Sequence, residues 1–458
     1  ATMAAVVLGG AFLDRRVQPA NSLAAAAVFL LCVDTQQLFS MGFQLSFAVV
    51  GTIILIANPV FDFFFRWFQP DPFLPKSLYS HARRVGLTSW RMIARGASVS
   101  LAAWLGSLLL ILPYFYLITP ISLFANLAVV PVAFFVLALG LLALLTAAIA
   151  PWLSLVFNNA NWFLATIILR VVAFFAHAPA GHIYLELPHR PTGARVAITA
   201  LDLGAGAAIH LRNGNTDYLI DCGANRDFAR VVRGYLRSRG INRLDGLVLS
   251  HGDAAHIGAA SSIVHAFWPR QILDNAATDR SSSHRAIISE LAREKIPRQL
   301  LFAPNEWKIG RDVVARVLFP PPGFQAEKAD DQALVIQLLI GQRWRVLLTS
   351  DSGLATENFL REQGVDLRSD ILIKGQHSSG DSGSAEFLDA VQPQLIIASS
   401  TAFPESESLK NEWAQEVAAR GIKLLRQDET GAVTVRFYGD RWKTILFLRP
   451  ETLRSVNR

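Results

Sequence analysis

Three segments in the first half of the chain, roughly residues 97–118, 122–149 and 152–177, are each long and apolar enough to cross a bilayer. Three such runs in close succession belong in lipid, where a helix satisfies its own backbone polar groups. The chain must therefore contain a membrane domain. Its 458 residues are 52% hydrophobic and only 17% charged, which excludes an ordinary soluble protein. The apolar excess falls mostly before about residue 180, so the two halves live in different solvents. A formal net charge of +7 suits a membrane protein with basic loops and does not oppose a polyanion. Cys32 and Cys222 have neither disulfide-scaffold nor metal-site spacing.

The chain begins Ala1-Thr2-Met3, already inside an apolar run that ends at Asp14-Arg15-Arg16, so an upstream portion is expected. Residues 20–33 are apolar but short, and the run from Gly42 to Phe65 is interrupted by Asn58-Pro59. Two readings stand for such segments: broken helices lining a polar cavity, or packed helices with ordinary loops. Residues 66–95 carry Arg66, Lys76, Arg83, Arg84, Arg91 and Arg95, which makes this loop cytoplasmic by the positive-inside rule. Part of it is expected to lie along the membrane as a basic amphipathic helix, with Trp67 and Trp90 near the interface. Three crossings later, residue 180 would stand outside. Asn126 within apolar sequence needs protein or water to face, and Pro113 and Pro131 free backbone carbonyls.

Domain bounds follow: a membrane domain over 1–180, a linker over 181–193 with Pro188 and Pro191, a soluble domain over 194–450 and a tail over 451–458. In the soluble half, apolar runs of four to eight residues alternate with amphipathic helical stretches, which indicates a layered α/β domain. Its centre is Leu247-Val248-Leu249-Ser250-His251-Gly252-Asp253-Ala254-Ala255-His256. A buried strand stops at Ser250, and the loop after it carries His251, Asp253 and His256. That spacing at a strand end lets imidazole and carboxylate converge on one cation such as zinc or manganese. Asp202 lies in a glycine turn after another strand, and Asp221 in Asp221-Cys222-Gly223 reads as a structural turn. Asp351 ends the strand Leu347-Leu348-Thr349-Ser350, either as a ligand or as a helix N-cap. His377 follows the strand Ile371-Leu372-Ile373, as a ligand or an exposed loop residue. Lys374 reads as a phosphate contact or a solvated lysine.

Several of these stretches resemble the ComEC family, the competence proteins that pass DNA through the inner membrane. Gly42-Phe43-Gln44-Leu45-Ser46-Phe47 is similar to the family's G-F-Q-L-S-F, Asn21-Ser22-Leu23 to its N-x-L, and Ser122 through Asn126 to Pro131 to its S-x-x-A-N-x-x-x-x-P. Ser250 to Ala259 resembles the SH-x-D-x-D-H-x-G-G signature, with Ala255 where the family has Asp. Asp202-Leu203-Gly204-Ala205-Gly206-Ala207 stands for D-V-G-Q-G-D, Leu347 to Asp351 for L-L-T-G-D, and Gln376-His377-Ser378 for a H-H-G-S that keeps one His. Thr401-Ala402-Phe403-Pro404 replaces a late N-x-x-x-H-P element.

The resemblance implies an α-helical polytopic membrane domain followed by an α/β metallo-β-lactamase-like αββα sandwich. It implies a multi-pass inner (plasma) membrane protein that takes up single-stranded DNA, lies in the lipid bilayer and works with other competence proteins, its soluble domain on the external or periplasmic side. Asn21, Gln44, Asn126 and Pro131 are the channel candidates. Asp202 and Asp351 are the catalytic candidates, and His251, Asp253, His256, Asp351 and His377 the metal candidates. Losses at Ala205, Ala207, Ala255 and Ser378 leave three alternatives: an eroded domain with one or two ions or none, an active metal-dependent phosphodiesterase, or a membrane-anchored hydrolase of a small anionic ester.

Overall fold

Ser40 and Ser80 set where two of the long helices begin. The Ser40 hydroxyl accepts the Phe43 N–H at 3.3 Å and the Ser80 hydroxyl accepts that of Arg83 at 3.3 Å, each satisfying a donor that the first helical turn leaves unpaired. The structure, a computed structural model, describes residues 18–66, 79–178, 181–186, 193–276, 281–326, 328–377, 382–401, 403, 408–448 and 453–454. It divides into two compact units, Ala1–Leu187 and Pro188–Arg458. The expectations for Asp14-Arg15-Arg16, Trp67, Lys76, Ser378, Ala402, Pro404 and most of the linker and tail lie outside the described residues.

In the first unit the helices are Pro19–Val33, Met41–Phe65, His81–Phe115, Ser122–Ala147 and Pro151–Ala176. Four of them are long and apolar enough to cross a membrane, and Pro19–Val33 is shorter. Two expectations are corrected. Asn58-Pro59 does not interrupt its segment: Met41–Phe65 runs on through Pro59, just as Ser122–Ala147 runs through Pro131. A proline removes one donor, and membrane helices tolerate that where neighbours re-satisfy the freed carbonyl. Nor is there a separate interfacial helix around Trp90. Helix His81–Phe115 starts at the Ser80 cap and continues unbroken into the spanning segment. Arg91 and Arg95 sit over the rings of Phe65 and Phe61 at 5.3 and 5.4 Å. Gly106 lets the helix approach its neighbour, since a Cβ there would lie 2.7 Å from Thr52 Oγ1. The strands β1 (Leu117–Ile118) and β2 (Ile183–Tyr184) pair antiparallel.

The second unit holds β3 (Val196–Ala200), β4 (Ile209–Asn213), β5 (Thr216–Ile220), β6 (Gly246–Leu249), β7 (Ile272–Asn275), β8 (Arg298–Leu301), β9 (Glu306–Ile309), β10 (Val313–Phe319), β11 (Val335–Ile340), β12 (Trp344–Ser350), β13 (Ile371–Lys374), β14 (Leu395–Ala398), β15 (Lys423–Arg426), β16 (Val433–Tyr438), β17 (Arg441–Leu446) and β18 (Leu453–Arg454). They form a nine-stranded sheet, order β18-β17-β16-β3-β4-β5-β6-β7-β8, and a seven-stranded sheet, order β15-β14-β13-β12-β11-β10-β9. Side chains alternate between faces, so each strand splits its apolar residues between two cores. Val248, Ile336, Leu348, Ile371 and Ile373 enter the core between the sheets. Leu247 and Leu249 pack with Ile263 and Phe267 of a helix on one outer face, and Leu347 and Leu372 with Leu360 and Phe387 of helices on the other. The result is the expected αββα sandwich. β4, β7, β8 and β9 were not foreseen. β4 carries a buried His210 and Asn213, and β8 is mostly exposed, so neither presents an apolar run.

Candidate metal centre

β6 is buried along its whole length between parallel neighbours β5 and β7, and it ends against a carboxylate. Asp221, one residue past β5, turns inward at φ +56°. Its Oδ1 accepts the Ser250 N–H at 2.8 Å, and its Oδ2 accepts the Ser250 hydroxyl at 2.6 Å and His256 Nδ1–H at 2.8 Å. Asp253 caps the short helix Ala254–Ile257 by accepting the Ala255 N–H at 2.8 Å, and that turn carries His256 back into the interior. Gly206, at φ +84°, lets the Asp202 loop press on this turn, since a Cβ there would lie 2.0 Å from the Ala255 carbonyl oxygen.

The second sheet supplies the rest. β12 ends at Ser350, and Asp351 Oδ2 accepts His256 Nε2–H at 2.8 Å. The expected N-cap role of Asp351 is not seen, because Gly353 holds the N-cap position of Leu354–Glu362. Gly375 is required beside it, since a Cβ there would sit 1.7 Å from Asp351 Oδ1. His377 is buried rather than exposed, its Nε2 3.2 Å from Asp331 Oδ1. Asp330 Oδ1 stands 3.9 Å from His251 Nε2. The structure thus brings His251, His256, Asp351 and His377 into buried contacts at the ends of the two sheets and leaves Asp253 exposed at the rim. Asp202 is elsewhere: it accepts the Gly204 N–H at 3.2 Å, and among the described residues no hydrogen bond or ion pair joins it to the histidines.

The two central imidazoles are in opposite states. His256 donates from both nitrogens to carboxylates. Burial lowers its proton affinity, but Asp351 and Asp221 reverse this and hold it well above the usual value. Burial, then the neighbouring His256 charge, push His251 down. Asp351 is held below the carboxylate range because His256 outweighs burial. The hydroxyl of Ser250 has one proton and gives it to Asp221, so His251 Nδ1–H donates to Ser250 Oγ at 2.9 Å. That leaves the His251 Nε2 lone pair aimed outward, buried and without a hydrogen bond.

Two sets of donors lie within 4.8 Å of one another: Asp221, His251 and His256, and His251, Asp253 and Asp330. The first is already closed by its own hydrogen bonds. The second joins an uncommitted imidazole nitrogen to two carboxylates, a donor chemistry that suits one zinc or manganese ion. A serine fixing the tautomer of a ligating His is the usual second-layer support. Asp330 and Asp331 were missed by sequence reasoning, and Asp221 was read as a turn. Asp330-Asp331 stand just before the apolar run Leu334–Ile340, at a strand's start where no ligand was sought. Lys374 is not solvated: it is 5% exposed, and burial pulls it down from 10.5 to about 8 against the carboxylates of Glu357 and Asp351.

The Competence protein family matches residues 1–210, and the Metallo-beta-lactamase superfamily matches residues 201–338. The chain joins a competence-protein region to a metallo-β-lactamase-superfamily domain. Its curated relatives include ComE operon protein 3 of Bacillus subtilis (strain 168), 24% identical over 95% of this chain and 60% of the relative. Competence protein ComA of Neisseria gonorrhoeae is 28% identical over 52% of this chain and 32% of the relative. Recombination protein 2 of Haemophilus influenzae is 25% identical over 53% and 29%. The chain thus spans 60% or less of the length of these relatives. Among solved structures, a mutant of the CmlA beta-hydroxylase aligns over 59% of each chain at 13% identity, TM-score 0.38. The metallo-beta-lactamase fold protein YhfI from Bacillus subtilis aligns over 50% of this chain and 95% of that one at 15% identity, TM-score 0.34.

Proposed function

We propose that this chain is part of a DNA-uptake machine of natural transformation, its competence region helping to form the path of a single DNA strand through the inner membrane. The observation that carries this reading is the competence-protein match over residues 1–210, on a unit with four helices able to span a bilayer. Arg83, Arg84, Arg91 and Arg95 on one such helix supply the positive charge that a phosphate backbone needs near the membrane surface. Gln44 accepts a hydrogen bond from Tyr114 at 3.2 Å, which joins two of the spanning helices through polar groups. With Asn21, Asn126 and Pro131 it remains our choice of channel residues. By the positive-inside rule the metallo-β-lactamase-like unit faces the exterior. Uptake of labelled DNA by cells lacking the gene tests the proposal. Loss of internalised strand, restored by the chain in its complete gene, is expected; undiminished uptake overturns it.

For the metallo-β-lactamase-like unit we propose a centre of reduced capacity, with one zinc or manganese ion held by His251, Asp253 and Asp330. Such an ion supplies a water acidic enough to attack a phosphodiester near neutral pH. The protein's own part is visible. Ser250 and Asp221 fix the His251 tautomer, and the Asp221–His256–Asp351 chain holds one proton between two carboxylates. His377, paired with Asp331, closes the far side. A hydrolytic reading, as a nuclease on the incoming strand, is favoured only by the uncommitted His251 Nε2. Ala255 offers no second carboxylate, so retention of the fold with weak or no turnover is the reading we prefer. Metal quantified per chain after purification without chelator decides it: about one equivalent supports the reduced centre, and two support the nuclease.

A further inference from the structure

β12, β13, β14 and β15 run parallel, so their carboxyl ends gather along one edge. Lys374 is the last residue of β13. Ile371 and Ile373 point into the core between the sheets, so Lys374 points with Leu372 toward the outer helices. An ammonium has three N–H donors, and here one is used, to the Gly375 carbonyl oxygen at 3.0 Å. The indole of Trp413 lies beneath the charge, 5.0 Å from its centroid. The remaining donors open on a cavity of about 190 Å³, which Lys374, Gln376, Ser384, Lys410, Trp413 and Glu416 help to line.

The acids around this cavity are already committed. Glu357 accepts from the N–H groups of Gly383 and Ser384 and from the Ser384 hydroxyl at 2.8 Å. Glu416 is paired with Arg420 at 3.3 Å. Asp351, the other carboxylate that acts on Lys374, is bound to His256. The cavity therefore offers two ammonium groups, with the carboxylates that face them tied down elsewhere. Its volume, roughly six times a water's share of the liquid, exceeds what a halide or a lone carboxylate fills.

We propose that this cavity is an oxyanion site for a phosphate group, gripped by Lys374 and closed at its mouth by Lys410. It uses none of the residues assigned to the metal centre and stands or falls apart from it. The ligand chemistry is shared by free phosphate and by the terminal phosphate of a nucleic-acid strand.

The test is calorimetric titration of the detergent-solubilised chain with inorganic phosphate in the presence of a chelator, repeated with Lys374→Met and Lys410→Ala. Saturable binding is expected, weakened about tenfold or more by Lys374→Met and a few-fold by Lys410→Ala, a surface change that leaves the core intact. Displacement by a 5′-phosphorylated oligonucleotide but not by its 5′-hydroxyl twin assigns the site to a strand end. Displacement by neither assigns it to the free ion. No saturable binding, binding that the chelator abolishes, or equal binding in wild type and Lys374→Met overturns the proposal.

Discussion

Replacing Lys374 with Met in phosphate-free buffer should stabilise the second unit at neutral pH and do so less at alkaline pH. Burial lowers the Lys374 pKa from 10.5 to about 8 in the folded protein. The unfolded chain therefore holds this proton more tightly, and the charge opposes folding. The opposition is complete below the folded value and fades as pH rises toward the unfolded one. A gap of this size corresponds to about 3 kcal/mol at pH 7 and about 1 kcal/mol at pH 9.5. Met fills a similar volume but loses the hydrogen bond to Gly375 and the contact with Trp413, together about 1–2 kcal/mol. The variant should thus gain about 1–2 kcal/mol at pH 7, and that gain should fall by about 2 kcal/mol by pH 9.5. Pulse proteolysis in urea, read on fragments of residues 194–448, measures both. A difference between the two proteins that is independent of pH would refute the reasoning, because it would mean that the lysine is not buried as a cation.

Other outcomes follow from the metal centre. His251→Ala should remove the bound ion, taking the metal content measured by mass spectrometry from about one equivalent to none. Asp221→Asn leaves His256 with one carboxylate and should cost about 3 kcal/mol in the metal-free protein below pH 6. Because the folded pKa of His256 is raised, its stabilisation is present below the ordinary value near 6.5 and lost as pH rises through the folded one, so the variant should flatten that alkaline decline in urea titrations. Gly375→Ala should force Asp351 off His256, and the low-field imidazolium proton resonance of the wild type should disappear.

Strands that end abruptly in polar residues were legible in the sequence, which is why β6 with His251 and His256 and β12 with Asp351 could be found. The membrane helices were legible for the same reason, since apolarity over some twenty residues has few other uses. What was hidden depends on contacts between distant segments. Lys374 looks like a loop lysine until Trp413 and Glu357, far along the chain, close over it. Asp221 looks like a turn until the loop after β6 folds against it. Asp330 and Asp331 precede their strand rather than follow it, and only the pairing of β10 with β11 carries them to the histidines. Helix His81–Phe115 was read as a loop plus a span because its first turns are polar, and a Ser80 cap rather than hydropathy sets its start.

That helix also acts as a ruler. From Arg95 to Phe115 it rises about 30 Å, the thickness of a bilayer's hydrocarbon. The ring contacts of Arg95 and Arg91 with the end of Met41–Phe65 hold two helices at one depth, so they resist sliding past each other along the membrane normal. The turns before Arg91 then stand clear of the oil as a stiff basic post of about 15 Å. A membrane that thickens or thins would be met by tilt of the pair as one body, and the Arg83 and Arg84 tip of the post would swing sideways with it.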